Sequence, residues 1–370
     1  MLHIQDLLFS QSYSTHEALI KSCSSAVSGC GAFAFASASG IKLLFNDQEF
    51  DALLERGSYS LVVGIDEITN LASLEALNAI RERRPYLDVK AFFHNEPTLF
   101  HPKLSFFKNS DGLGTLVVGS GNLTLGGLRQ NREGFAMVSL DADETQKVES
   151  YWSSWLNETR DNLQEISDAR VVERVKQNRL RGLARHFPIA EKDQEEDAAQ
   201  SNVFSDREVD SEWSFSSTSS RVLLAEIPRS GDRWKQANFD INTFRDFFGA
   251  TPGDNSQRIL LRNVLDDSSL GPIEVRQSVS VQSQNYRFEL DAATGLAYPS
   301  GGAPIGIFIK LSTRLFLYHI FMPSSAIYPE LRRWMIEKWS GRTDRMKRIV
   351  VDATEVDGIL SSTVFSSYKG

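Results

Sequence analysis

A change of pattern near residue 188 limits what this chain can fold into more than any other feature. Residues 188–220 combine the acidic run EKDQEED with the serine-rich run SFSSTSS and have little apolar periodicity. Before this stretch, apolar β-type runs alternate with helix-type runs, which is typical of an α/β domain. After it, short β-type segments are separated by turn residues. The sequence therefore predicts an α/β domain at 1–187, a linker at 188–217 and a mainly-β domain at 218–370.

The two predicted domains differ in the elements they contain. In the first, strands are predicted at 32–36, 61–65, 89–93, 103–107, 115–118 and 134–138, and helices at 48–55, 71–83 and within 145–185. The second contains the β-type segments RVLLAEIP, QRILLRNVL, PIEVRQSVSV, YRFEL, IGIFIKL and RLFLYHIF. Helix-type sequence is found there only at INTFRDFFG and YPELRRWMIEKW. Many short strands with few helices favour a small barrel or sandwich.

The distribution of charge separates the two predicted domains as well. A net charge of −8 by itself disfavours nucleic acid as a ligand, because phosphate binding favours basic surfaces. Residues 221–350, however, carry 18 Lys and Arg against 13 Asp and Glu, so the rest of the chain has a net charge of −13. The basic half of the chain is therefore the predicted β domain.

Composition is that of a soluble globular protein, with 41% hydrophobic and 24% charged residues. No apolar run reaches the roughly 18 residues of a membrane helix, and the amino terminus lacks a secretory-signal pattern. We expect a cytoplasmic protein with no membrane partner. Cys23 and Cys30 lack metal-ligand spacing and are interpreted as small buried residues.

Three short motifs follow one another within residues 100–135. They are His101-x-Lys103, Gly119-Ser120-x-Asn122 and Asn131-x-Glu133. Each motif alone is weak evidence, since GSGN is often an ordinary turn. In series they supply a nucleophile, a cation and anion-binding donors, which are the groups that phosphodiester cleavage requires.

Each of these residues has a predicted role. Residues two apart in a strand point to the same face, so His101 and Lys103 are predicted to project into one pocket. The small-residue turn lets a ligand approach, and there Ser120 and Asn122 can donate to phosphate oxygens. The Lys103 ammonium can stabilise charge in the transition state. Glu133 can accept from the histidine Nδ1–H and keep Nε2 unprotonated.

The order and chemistry of these motifs resemble the phospholipase D superfamily, particularly its short bacterial nuclease branch. The resemblance implies that His101 attacks the phosphodiester to form a phosphohistidine, without a metal ion or another cofactor. It also implies that Lys103, Ser120 and Asn122 bind phosphate, and that Glu133 orients the histidine. A second copy of the motif supplies a histidine that protonates the leaving group. Because this chain has one HxK motif, we expect a homodimer through the first domain.

One position departs from the superfamily pattern. An aspartate usually follows the lysine closely, whereas this chain has Lys108 there, and the first nearby acid is Asp111. The interval from Lys103 to Gly119 is also longer than usual. Both departures favour the nuclease branch over lipid hydrolysis.

The other histidines, and the adjacent acids Asp66 and Glu67, are interpreted as structural residues. The remaining histidines lack partners at metal-ligand spacing, although His94 precedes His101 by seven residues and is a candidate for the rim of the pocket. Asp66 and Glu67 are adjacent acids, but no further carboxylate cluster supports a two-metal site.

Two polar stretches in the second half are candidates for contacts with double-stranded DNA. Both are rich in arginine and amide side chains, which can pair with base edges or phosphates. We call them the first arm (229–238) and the second arm (282–287). The candidate residues are Arg229, Ser230, Arg233, Trp234, Lys235, Gln236 and Asn238 in the first arm, and Gln282, Ser283, Gln284, Asn285, Tyr286 and Arg287 in the second. The alternative interpretation is that both arms are solvated loops of a β domain with no role in DNA binding.

The second half resembles the DNA-binding pseudobarrel of plant B-three transcription factors and of certain restriction-enzyme specificity domains. The order of RVLLAEIPRSG, RWKQANFDINTFRDFFG and RQSVSVQSQNYRFEL carries this resemblance. Joined to the first half, it is similar to phospholipase D-type restriction endonucleases. Some of these act alone, whereas others need a helicase-like ATPase partner, and a cognate methyltransferase is expected. The chain has no GxxxxGK[ST] loop, so any use of ATP requires a partner. A general phosphodiesterase and a DNA-binding protein with a vestigial site remain alternatives.

Overall fold

The computed structural model describes residues 1–9, 11–186, 213–229, 234, 236–254, 256–277, 286–342 and 345–370, with the backbone alone at 179–186, 236, 238, 286 and 287. The chain divides into two compact units, Met1–Val209 and Asp210–Gly370. Most of the predicted linker, 188–212, lies outside the described residues.

The first unit is built on one eight-stranded sheet. Its strands are β1 Leu2–Gln5, β2 Ala26–Phe33, β3 Ser58–Gly64, β4 Leu87–Phe92, β5 Lys103–Asn109, β6 Gly114–Gly119, β7 Glu133–Leu140 and β8 Leu163–Glu165. They lie in the order β1-β7-β6-β5-β2-β3-β4-β8. β2, β3 and β4 are parallel, whereas β5 is antiparallel to β2 and β6, and β7 is antiparallel to β6 and β1. One edge of the sheet therefore collects the carboxyl ends of β2, β3, β4 and β6 and the amino ends of β5 and β7.

The first unit also contains six α-helices among its described residues. They are α1 Thr15–Cys23, α2 Ala38–Phe45, α3 Gln48–Arg56, α4 Leu71–Arg83, α5 Ala142–Glu158 and α6 Ala169–His186. Ser14 begins α1 and Asp141 begins α5, each as a capping box that satisfies otherwise unpaired amides. In the middle of the sheet, Leu61, Val62 and Val63 of β3 are all buried, as expected for a strand covered on both faces.

The predicted elements of the first half are largely present, with differences at their ends. The strand predicted at 32–36 ends at Phe33, and the chain then leaves the sheet to bridge Ala36 with Leu123. The segment 145–185 forms two helices separated by β8. The sequence analysis missed β1, α1 and α2, because Leu2–Gln5 is short and α1 contains buried polar residues such as His16.

The second unit is mainly β. Its strands are β9 Arg221–Glu226, β10 Gln236–Phe239, β11 Arg258–Val264, β12 Leu270–Gln277, β13 Tyr286–Glu289, β14 Ile305–Ser312, β15 Leu315–Phe321 and β16 Arg348–Asp352. Six of them form a sheet in the order β12-β11-β15-β14-β9-β16, and β10 pairs with β13 as a separate ribbon. The β11–β15 pair is parallel and the other pairs are antiparallel. Helices α7 Tyr328–Lys338 and α8 Asp357–Ser361 follow β15 and β16.

An aromatic core holds the second unit together. Phe239 of the ribbon stacks on Phe288, and its ring meets Phe248 and Phe308 edge-on. Phe248 follows the turn Thr243–Phe247, which the sequence predicted as a helix and which has π-helical hydrogen bonding. The ribbon is therefore anchored to the sheet by ring contacts, each with a preferred geometry.

The start of the second unit differs from the prediction. Residues 213–217 were assigned to the linker, but Trp213 is fully buried and Phe215 pairs with Lys369 in a β-bridge. The Arg262 guanidinium lies 5.0 Å from the centre of the Trp213 ring, a cation–π contact. Apolar packing therefore extends the folded unit to Trp213.

No helix among the described residues is both long and apolar enough to cross a lipid bilayer.

Candidate active site

The predicted catalytic residues gather at the sheet edge defined above. His101 immediately precedes β5 and Lys103 is its first residue, Ser120 follows β6, and Glu133 is the first residue of β7. Because β5, β6 and β7 are neighbours, the register brings these ends together: Gly119 of β6 pairs with Phe135 of β7. The sheet thus brings the three motifs to one place.

His101 and Lys103 are in direct contact. The Lys103 Nζ lies 3.0 Å from His101 Nε2 and also donates to the His101 carbonyl at 3.2 Å. A charged ammonium can only donate, so a hydrogen bond at this contact requires the tautomer in which His101 Nε2 carries the lone pair. That tautomer is the one in which Nε2 can act as a nucleophile.

The backbone on either side of Pro102 is fixed by β2 and the segment after it. The Pro102 carbonyl accepts from Ala34 N at 2.8 Å, and the Phe35 ring meets the His101 ring edge-on at 5.9 Å. These contacts hold the histidine at the open edge of the sheet, where its side chain is exposed.

The environment of Lys103 affects its charge in two ways. Partial burial lowers the pKa of Lys103 below its ordinary value, and the nearby negative charge of Glu133 acts in the opposite direction. The ammonium is thus held close to a carboxylate in a partly desolvated site, where its attraction for a phosphate group is stronger than in bulk water.

Glu133 organises the other motif residues. One of its oxygens accepts a short hydrogen bond from the Ser120 hydroxyl, and Oε1 accepts from Asn131 Nδ2 at 3.1 Å. The Ser120 hydroxyl also accepts from Gly134 N at 3.1 Å. Two hydrogen bonds therefore hold the carboxylate at the mouth of the site.

The structure differs from the prediction that Glu133 accepts a hydrogen bond from His101. Among the hydrogen bonds of the described residues, the His101 ring is joined to Lys103, and Glu133 is joined to Ser120 and Asn131. In this structure Glu133 accepts from Ser120, and the predicted contact with His101 is replaced by the one between His101 and Lys103.

Asn122 occupies a closely packed turn. Its Oδ1 accepts from Phe35 N at 3.3 Å, so the amide group of Asn122 lies beside the segment that packs on His101. A Cβ added at Gly127 would lie 2.4 Å from Asn122 N, and one added at Gly121 would lie 2.7 Å from the Gly127 carbonyl. Glycine at these positions allows the GSGN turn to pack directly on the turn Gly126–Gln130.

Sequence reasoning gave no role to three residues that contact this site. Phe35 packs on His101, Asn131 holds Glu133, and the buried Gln5 contacts the Asn131 carbonyl. Asn131 was already part of the NxE motif. The other two come from distant segments, and nothing in the local sequence indicates their place.

His94 and Asp66 lie at the carboxyl ends of β4 and β3 and form a separate cluster. His94 Nε2 lies 3.2 Å from Asp66 Oδ2, and His94 Nδ1 lies 2.9 Å from Glu96 Oε2. Arg174 of α6 pairs with Asp66 at 3.4 Å and donates to the His94 carbonyl. Both ring nitrogens are thus engaged, which favours a structural role for His94. No group of three or more His, Cys, Asp or Glu in the described parts of the chain is placed to hold a metal ion.

The structure describes only part of the two arms. Ser230, Arg233, Lys235 and Gln282–Asn285 lie outside the described residues, Arg229 is exposed, and the backbones of Gln236, Asn238, Tyr286 and Arg287 belong to the ribbon. In this ribbon Asn238 is the register partner of Arg287, and Gln236 is that of Glu289.

Trp234 corrects the interpretation of the first arm. Its side chain is 4% exposed, its indole Nε1 donates to the Leu296 carbonyl at 2.7 Å, and its ring meets Tyr298 edge-on. A buried indole with a satisfied N–H is a packing residue. Trp234 therefore anchors the arm and does not present its ring to DNA.

Comparison with known proteins gives similarity at the level of structure. No family profile matches the chain, and no curated protein matches it. Among solved structures, it is similar to NucT from Helicobacter pylori (15% identity, TM-score 0.31, covering 44% of this chain and 98% of that one). It is also similar to Nuc from Salmonella typhimurium, a phospholipase D family member (15%, 0.33, 44% and 96%). A third similar structure is the N-terminal domain of LlaJI.R1 from Helicobacter pylori (14%, 0.26, 35% and 97%).

Proposed function

We propose that this protein is a sequence-specific DNA endonuclease of the restriction type, which cleaves phosphodiesters through a phosphohistidine and without a metal ion. One observation carries the proposal. A histidine whose Nε2 contacts a lysine, that partly desolvated lysine and a serine held by a carboxylate meet at one exposed sheet edge. This combination offers a nucleophile beside an anion-binding cradle.

The proposed reaction proceeds in two displacements. His101 Nε2 attacks phosphorus, a P–N bond forms, and the bond to the leaving oxygen breaks as that oxygen takes a proton from a general acid. Water then attacks the phosphohistidine and gives its proton to the group that acted as the acid, and the P–N bond breaks to release His101. Lys103 exchanges its contact with the histidine for the phosphate oxygens, where Ser120 and Asn122 also donate.

The general acid in this proposal is His101 of a second copy of the chain. One chain supplies a single HxK motif, and the engaged ring of His94 is unsuited to donate a proton to a leaving group. A two-fold axis beside the site places the same residue on both sides of the phosphate.

The surface beside the site supports such a pairing. Leu2 and Ile4 of β1, Val118 of β6 and Val138 of β7 are apolar side chains with 39–72% exposure on three adjacent strands. Ser120 continues this surface at the end of β6. Exposed apolar area on neighbouring strands is typical of a protein interface. A second copy is the partner that the missing acid requires.

We assign DNA reading to the second unit, with the pseudobarrel architecture that its sequence resembles. The chain enters the ribbon at Gln236, opposite Glu289, and at Tyr286, opposite Phe239. The two arms therefore join opposite ends of a four-residue ribbon. Three steps of about 3.3 Å separate these ends by roughly 10 Å, comparable to the width of a major groove, about 12 Å.

The function is tested with a long plasmid in EDTA. We expect discrete fragments from the purified protein alone or, if a helicase-like ATPase is its partner, after Mg-ATP and that subunit are added. DNA modified by a cognate methyltransferase should resist cleavage. Hydrolysis of simple diesters without discrete DNA fragments would instead identify a general phosphodiesterase. Specific binding with no cleavage under any of these conditions would identify a DNA-binding protein with a vestigial site.

The dimer is tested separately by sedimentation and by mixing subunits. In a mixture of wild type and His101→Ala, activity should fall below the fraction of wild-type subunits. A mixed dimer has only one histidine in the shared site and is therefore inactive. Activity proportional to the wild-type fraction would argue for a complete site in each chain.

A further inference from the structure

Strand β1 has an inverted pattern of burial. Its apolar residues Leu2 and Ile4 are 72% and 43% exposed, whereas the polar Gln5 is fully buried. A polar side chain in the interior costs free energy unless its hydrogen bonds are satisfied. Places where a chain departs from the usual pattern are often functional sites.

Hydrogen bonds satisfy the buried amide of Gln5. Its Oε1 accepts from Thr15 N at 2.9 Å, and its Nε2 donates to the Asn131 carbonyl at 2.9 Å and the Gly127 carbonyl at 3.4 Å. One side chain thus joins the start of α1, the turn Gly126–Gln130 and the residue that follows that turn.

These contacts continue into the catalytic cluster. Asn131 is held through its main chain by Gln5, and its side chain donates to Glu133, which in turn accepts from Ser120. Gln5 is also the register partner of Glu133 in the β1–β7 ladder. The strand ladder fixes the backbone of Glu133, and the Gln5 amide fixes the neighbouring turn whose Asn131 holds its carboxylate.

A second buried network holds the same turn through Arg129. Arg129 pairs with Glu17 at 3.3 Å and donates to Ser14 Oγ at 2.9 Å, and the side chains of the ion pair are fully buried. Because this network also secures the turn, we expect the loss of Gln5 to act mainly at Asn131, the residue that follows the turn.

We propose that Gln5 is a positioning residue of the active site, acting through Asn131 on the Glu133 carboxylate and thereby on the phosphate-binding Ser120. The inference rests on the proposed phosphodiesterase function. Gln5 itself does not touch substrate. Its loss is expected to slow the chemical step while leaving the other contacts of the substrate in place.

Two variants test this role. Gln5→Met keeps the length of the side chain and removes all three hydrogen bonds. Gln5→Glu keeps the acceptor for Thr15 N and places a carboxylate against two carbonyl oxygens. With bis-p-nitrophenyl phosphate we expect kcat to fall roughly 10- to 100-fold and KM to change less than about threefold, since small misplacements act mainly on the reacting geometry. Lowering the pH should partly restore kcat in Gln5→Glu, because a protonated carboxyl can donate to the Asn131 carbonyl.

Tyr59→Phe is the matched control. It removes a buried hydrogen bond between the Tyr59 and Ser105 hydroxyls in the same unit, and this bond involves none of Gln5, Asn131 and Glu133. We expect this variant to lose thermal stability and keep its kcat. Each variant is assayed at the same number of degrees below its own Tm. If the Gln5 variants then have the same kcat as Tyr59→Phe, the role of Gln5 is purely structural and the inference is overturned.

A crystal structure of either Gln5 variant, whichever folds, tests this inference independently of the proposed function. We expect the hydrogen bond between Ser120 and Glu133 to be lost in that structure. A retained contact would overturn the inference whether or not the enzyme is active, whereas a wild-type protein that hydrolyses no diester would overturn the proposed function alone.

Discussion

The candidate catalytic site and the candidate DNA-reading arms are built in different ways. His101, Lys103, Ser120 and Glu133 lie at the ends of adjacent strands, where His101 contacts Lys103 and Ser120 contacts Glu133. The described parts of the arms belong to a short two-stranded ribbon, which is anchored by buried aromatic rings. A rigid sheet edge suits chemistry, which depends on the placement of atoms, and loops on a fixed base suit recognition, which varies with the ligand.

The strongest test of this division is His101→Ala. We expect cleavage to fall by roughly 10⁴-fold or more, because the variant lacks the nucleophile. Specific DNA binding should be unchanged, since base reading is assigned to the other unit. Cleavage in EDTA and binding to a duplex with the cognate site measure the two properties. Simultaneous loss of both in a folded variant would contradict the division.

Trp234→Ala tests whether the first arm depends on a buried anchor. Removing a large core side chain costs about 3–5 kcal/mol of unfolding free energy. We expect this loss in the second unit, with hydrolysis of a small diester retained. Trp334, half-buried on α7, is the control, and Trp334→Ala should cost less. Denaturant titration measures both, and equal costs would indicate that Trp234 is not an anchor.

The arm residues distinguish base reading from phosphate attraction. Alanine at Arg233, Gln236 or Asn238, or at Gln284, Asn285 or Arg287, should cost about 1–3 kcal/mol at the cognate site and relax specificity at one base pair. Alanine at Lys235 should weaken binding to all sequences alike. Competition with scrambled duplexes across a salt series separates the two classes. Equal losses on cognate and scrambled DNA for every variant would reduce the arms to an electrostatic clamp.

The smallest expected effect is a displacement of the pH profile. Burial lowers the pKa of Lys103 below the usual 10.5, so its charge is lost at a lower pH than that of a free lysine. Cleavage should therefore decline on the alkaline side before that value is reached. Lys103→Arg keeps its charge throughout, and we expect a lower rate without this decline. The same alkaline decline in Lys103→Arg would assign it to another group.

The sequence alone determined the two-part organisation and the residues of the motifs. Short apolar runs separated by turn residues predicted most strands of both units, because buried strands need apolar side chains. HxK, GSxN and NxE lie close together along the chain, so short-range spacing was enough to predict a shared site. The burial of Trp213 was not predicted, because the sequence around it is polar and its ring contacts Arg262 of β11, which is distant in the sequence.

Tertiary structure decided which groups hold the motif residues in place. Gln5 and Asn131 are brought together by the pairing of β1 with β7, across more than half of the first unit's sequence. The donor to the Glu133 carboxylate is likewise set by strand register, which brings Ser120 rather than His101 within hydrogen-bond distance of it. Hydrogen bonds are satisfied by whichever groups the packed backbone brings within about 3 Å, and that proximity is a property of the fold rather than of local sequence.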